Sequence, residues 1–88
     1  KLIIMGKNHK YLVTLLKQKR KEAGITQENL AKAVQVSRKS INAIENGVYV
    51  PSTVLALKTA TVLNCDVEDI FKLHEGTFPL LRVSNEYE

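Results

Sequence analysis

Eighty-eight residues, 44% of them apolar, with a net charge of +4, bound the chain to one small domain. A chain of this size buries only about 60–65% of its unfolded surface, so it needs a well-packed core or a partner. The longest apolar run, at 2–5, is too short to cross a membrane or to form a signal-peptide core, and the single cysteine, Cys65, excludes an internal disulfide framework and agrees with a reducing, cytoplasmic setting.

The first residues, 1–8, contain a short β-prone stretch and are left unassigned. The chain does not begin with Met, which agrees with a processed product or a fragment. Asn8 is placed to cap a first helix over 9–23, with Leu12, Leu15 and Leu16 inward and Gly24 as its stop. Lys17, Lys19, Arg20 and Lys21 fall in its later turns, where cations suit the helix dipole.

Thr26 caps a second helix in which Leu30, Ala31 and Val34 share one face. Gln35-Val36 breaks the pattern, and Ser37 caps a third helix with Ile41 and Ile44 inward and Gly47 at its end. Val48 to Pro51 reads as an extended connector, because Pro51 biases Val50 away from helix. Ser52 caps a fourth helix over 53–63 whose expected buried stripe is Val54, Leu57, Ala60 and Leu63. Asn64 is a left-handed stop, and Asp66 caps a short fifth helix over 67–73 with Val67, Ile70 and Phe71 apolar. The tail, 74–88, opens on a turn and carries an apolar stretch at 78–83 broken by Pro79; it reads as an edge strand, a dimer contact or the start of a linker. The expected class is therefore all-α with five helices.

The third helix carries the functional reading. At about 100° per residue, Arg38, Lys39, Asn42, Ala43 and Asn46 lie opposite Ile41 and Ile44. Arg and Lys donate to guanine and Asn pairs with adenine at base edges in a major groove. Charge is also unevenly spread: residues 1–39 hold ten Lys or Arg against two acids, and residues 40–88 hold three against seven. A basic half facing a polyanion and an acidic half turned away is the pattern of nucleic-acid binding. A membrane-surface helix needs a wide apolar face with Trp or Phe, which the basic region lacks. His9, His74 and Cys65 are far apart in sequence and form no nucleophile–base or metal motif, so an enzyme, a cofactor and a metal are not expected. Stacking aromatics are absent among the basic residues, which disfavours single-stranded RNA.

Four motifs, Ala23-Gly-Ile-Thr-Gln-Glu-Asn-Leu-Ala, Val36-Ser-Arg-Lys-Ser-Ile, Ala43-Ile-Glu-Asn-Gly and Pro51-Ser, together resemble the five-helix DNA-binding domain of the lambdoid phage repressor, Cro and xenobiotic-response-element family. The resemblance runs from about Tyr11 to Leu73, so that 9–73 is the expected helix-turn-helix domain. It implies base contacts from Ser37, Arg38, Lys39, Asn42 and Ala43. It implies phosphate contacts from Gln27, Asn46, the backbone after Gly47 and Tyr49, and it leaves Lys19 either solvated or reaching a phosphate. Arg20 and Glu45 match a structural ion pair. Gln35 departs from the family at a turn position usually held by Gly, where a left-handed glutamine costs about 1 kcal/mol.

The resemblance further implies a transcriptional regulator, in the first instance a repressor, that binds a palindromic operator on double-stranded DNA as a homodimer with half-sites about 34 Å apart. Candidate dimer surfaces are the last two helices and the tail, through Val62, Phe71, Phe78, Leu80 and Leu81. Residues 47–73 are similar both to small stand-alone regulators and to regulators with a sensor domain, so an effector-binding domain outside this chain is one implied arrangement. The competing reading is an antitoxin or coactivator-type interaction module on the same fold.

Overall fold

In the computed structural model of the protein, which describes residues 3–4 and 12–74, Leu12–Thr14 forms a β-strand rather than the opening turns of a helix. This strand, β2, lies between β1 (Ile3–Ile4) and β3 (Phe71–Leu73) and is antiparallel to both. Its register pairs Thr14 with Ile3 and Phe71, and Val13 with Ile4 and Lys72. Val13 and Thr14 are β-branched, and a pleated, half-buried ladder suits them better than a helix does. The cap assigned to Asn8 and the helical residues 9–11 lie outside the described residues. Leu15 and Leu16 are buried and Leu12 packs against the core, so all three point inward as expected, from a strand and its junction.

The five expected helices are present, with the sheet as a minor addition at one end. The first, α1, is Leu16–Glu22, and the chain leaves it through Gly24 at φ 71°. α2 is Gln27–Val34, with the Thr26 hydroxyl accepting from the Asn29 N–H at 3.0 Å. α3 is Arg38–Glu45, with the Ser37 hydroxyl accepting from the Ser40 N–H at 3.1 Å. Between them Gln35 takes φ 64°, so the turn keeps left-handed geometry and carries the strain that glycine would avoid. The Val36 N–H donates to Ala31 O at 3.0 Å, and Lys58 Nζ donates to the Gln35 side-chain oxygen at 3.0 Å.

α4 is Thr53–Val62, capped by Ser52 through the Leu55 N–H at 3.1 Å. Its buried face is Leu55, Thr59 and Ala60; Val54 and Leu57 of the expected stripe are 62% and 55% exposed. The helix is apolar nearly all round, so periodicity does not choose its inner face. Thr59 tolerates burial because its hydroxyl donates to Leu55 O at 2.8 Å. Asn64 is left-handed at φ 55°, as expected. α5 is Val67–Ile70, shorter than expected, because the chain extends at Phe71 to pair with β2. The Asp66 N–H donates to Asp69 Oδ2 at 2.9 Å at its start.

One core unites these elements: Leu16, Leu30, Ala31, Val34, Ile41, Ile44, Leu55, Ala60 and Ile70. Ile41 and Ile44 are 0% and 1% exposed, so burial fixes which side of α3 faces out.

Candidate nucleic-acid interface

With Ile41, Ile44 and Glu45 buried, α3 presents Arg38, Lys39, Asn42 and Asn46 to solvent and leaves Ala43 half-buried. The side chains singled out in the sequence for base edges thus share one exposed surface. Ser37, at the start of α3, is also exposed, its hydroxyl 3.0 Å from that of Ser40. The positive end of the helix dipole reinforces Arg38 and Lys39 at this end.

Behind that surface lies a continuous polar network. Arg20 Nε donates to Glu45 Oε2 and Arg20 Nη2 to Glu45 Oε1 at 3.3 Å, a two-pronged pair in which Arg20 is 9% and Glu45 2% exposed. Arg20 Nη1 also donates to Ile25 O at 2.9 Å. The Gln27 amide donates to Glu45 Oε1 at 2.9 Å and to Asn42 Oδ1 at 3.2 Å, and Gln27 Oε1 accepts from Arg38 Nε at 3.3 Å. Among the described residues no buried side-chain polar atom lacks a partner, so this network is satisfied. Gln27 therefore joins the ion pair between α1 and α3 to two side chains of the exposed face.

The turn after α3 is closed by backbone bonds. Gly47 N donates to Ile44 O at 3.1 Å, and the Val48 and Tyr49 N–H groups both donate to Ala43 O, at 2.9 and 3.3 Å. Those bonds hold the backbone after Gly47, to which the resemblance gives a phosphate role, in one fixed turn at the end of α3. Gly47 acts through conformation, its φ of 75° turning the chain past α3. The Asn46 side chain donates to Asn42 O at 2.9 Å, and Tyr49 is 44% exposed beside this turn in the chain.

Lys19 is not gathered with the others. Its ammonium is 3.5 Å from Glu22 Oε1, and its charge reaches Cys65 in the turn before α5. Burial, then the charge of Asp69, pushes the Cys65 thiol above its ordinary pKa, and Lys19 opposes them. A half-buried thiol that resists ionisation fits packing rather than nucleophilic chemistry. No cluster of metal-ligating side chains occurs among the described residues, and no helix there is long and apolar enough to cross a membrane.

Sequence reasoning passed over a groove of about 460 Å³ between α1 and the C-terminal end of α3, whose lining includes Lys17, Lys21 and Asn46. The signal was the four-residue spacing of the two lysines, read only as helix-dipole complement.

The helix-turn-helix family model HTH_3 matches residues 16–70. An uncharacterized HTH-type transcriptional regulator of Methanothermobacter thermautotrophicus is 49% identical over 63 residues, covering 70% of this chain and 91% of that protein. The ImmF control region 10 kDa protein of Bacillus phage phi105 is 41% identical over 66 residues, covering 75% of this chain and 72% of that protein. Among solved structures, the clp gene regulator ClgR from Corynebacterium glutamicum superposes with a TM-score of 0.59 at 30% identity, covering 61% of this chain and 57% of that one.

Proposed function

We propose, from the premise that the chain belongs to the Cro/C1-type helix-turn-helix family, that this DNA-binding regulator represses transcription by seating α3 in the major groove of a palindromic operator as a homodimer. The observation that carries this reading is the division of α3: Ile41 and Ile44 in the core, Arg38, Lys39 and Asn42 outside it. Ser37, Arg38, Lys39, Asn42 and Ala43 read bases. Gln27, Asn46, the backbone at Gly47 and Tyr49 hold phosphates, and α2 lies across the backbone. Gln27 also braces Asn42 and Arg38 from the rear. The setting is the cytoplasm, where such a regulator meets its operator.

One domain with these few base contacts gains specificity by pairing. Support for a second copy comes from α4, where Val54 and Leu57 are well exposed and Val62 is 38% exposed. A repressor needs only to occupy its site, and no enzymatic step enters this reading.

Selection of bound oligonucleotides from a random duplex pool, followed by sedimentation of the complex, tests it. A palindromic consensus bound by two chains is the expected result. Recovery of no consensus, or one chain per duplex on every selected site, overturns the dimeric operator reading.

A further inference from the structure

We propose that Lys17 and Lys21 grip the DNA phosphate backbone from α1, extending the interface past the C-terminal end of α3; this rests on the DNA-binding reading above. The two lysines sit four residues apart on α1, about 6 Å along the helix axis and on one face. They line the same groove as Asn46, which already borders the reading face. The groove is therefore continuous with the proposed interface.

Its charge is complementary to one. Among the described residues Glu45 is the only acid lining the groove, and its carboxylate is occupied by Arg20 and Gln27. Lys19 and Lys32 face acids one turn away, Glu22 and Glu28. Among the described residues neither Lys17 nor Lys21 enters an ion pair. Stability does not account for Lys17 either: it lies in the first turn of α1, where the helix dipole disfavours a cation. Lys21, in the last turn, also suits the helix dipole, but two exposed cations on one groove whose acid is neutralised, beside Asn46, fit a polyanion.

The test is the salt dependence of binding to a short random-sequence duplex, since phosphate contacts are independent of sequence. Fluorescence anisotropy titrations of the full chain between about 50 and about 200 mM salt give the slope of log K against log salt. Lys17→Gln with Lys21→Gln is expected to flatten that slope by about 1.8, or 0.9 for each lost contact. Lys17→Arg with Lys21→Arg is expected to preserve it. Lys58→Gln with Lys72→Gln removes the same net charge elsewhere, on α4 and β3, and is expected to change the slope by less than half as much.

An unchanged slope in the groove variant, with the unaltered chain binding normally, overturns this inference alone. So does equal flattening by the groove and control variants, which reports net charge only. Absence of binding by the unaltered chain overturns the DNA reading and this inference with it. Gln is a good helix former; should the double variant lose its helical circular-dichroism spectrum, the single variants carry the test, each flattening the slope by about 0.9.

Discussion

The Gln27 amide donates to the buried Glu45 carboxylate at 2.9 Å, so a side chain at the start of α2 is tied to the ion pair that joins α1 to α3. Through the same amide, Gln27 reaches Asn42 on the exposed face. The reading surface is thereby braced from the core, and its response to mutation should follow that connection.

Lys39→Ala and Asn42→Ala are each expected to relax sequence preference by about 1–3 kcal/mol per lost base contact. Gln27→Ala is expected to weaken binding to selected and random duplexes to a similar degree. Filter binding on both classes of duplex distinguishes the two behaviours; equal loss on both classes by all three variants rejects the assignment of roles.

Because Gln27 and Asn42 touch, their effects should not add. The double variant Gln27→Ala with Asn42→Ala is expected to depart from the sum of the singles by about 0.5 kcal/mol or more on a selected site. Simple additivity would mean that the 3.2 Å hydrogen bond does not preorganise Asn42.

Arg20→Ala leaves Glu45 buried at 2% exposure without its cation. The expected cost is about 3–5 kcal/mol, a large share of the roughly 5–15 kcal/mol available to a small domain. Replacing both partners, Arg20→Met with Glu45→Leu, should recover much of the loss, because no uncompensated charge then remains. Urea unfolding monitored by circular dichroism measures both, and an Arg20→Ala variant as stable as the parent would refute a structural role for the pair.

Gln35→Gly is expected to stabilise the fold by about 0.5–1 kcal/mol, since glycine adopts the left-handed turn without a Cβ penalty. The lost bond from Lys58 is exposed and offsets little of this. Thermal unfolding should show a melting temperature several degrees higher; a lower one would mean that the Lys58 bond outweighs backbone strain.

Leu57→Glu probes the α4 face. Leu57 is 55% exposed, so the monomer should fold unchanged. Two-fold binding to a palindromic site should weaken if this face pairs with a second copy, and sedimentation equilibrium would show the shift toward one chain. Unaltered pairing would move the dimer contact elsewhere.

Much of the site was legible because its signals are short-range. Thr26, Ser37 and Ser52 each cap a helix through an amide three residues on, and Gly24, Gly47 and Asn64 each take the positive φ that ends one. Ile41 and Ile44 mark the inner side of α3 because Arg38, Lys39 and Asn42 lie across from them; Glu45 shares the inner side, where Arg20 and Gln27 satisfy its carboxylate. The groove at Lys17 and Lys21 escaped notice because its other wall is supplied by residues more than twenty positions away.

Taken alone, the order of residues determined the number of helices, the caps Thr26, Ser37 and Ser52, the stops Gly24, Gly47 and Asn64, and the outward set Arg38, Lys39 and Asn42, since each depends on hydrogen bonds or periodicity within a few positions. Tertiary structure decided the rest. Leu12–Thr14 became a strand because Phe71–Leu73 came alongside it, α4 buried Leu55 rather than Val54 or Leu57 although all are apolar, and Gln27 met Glu45 and Asn42 across eighteen and fifteen positions. The physical reason is one of range: a cap is satisfied by its own helix, whereas a ladder, a buried face and a shared carboxylate need a partner that only folding brings near.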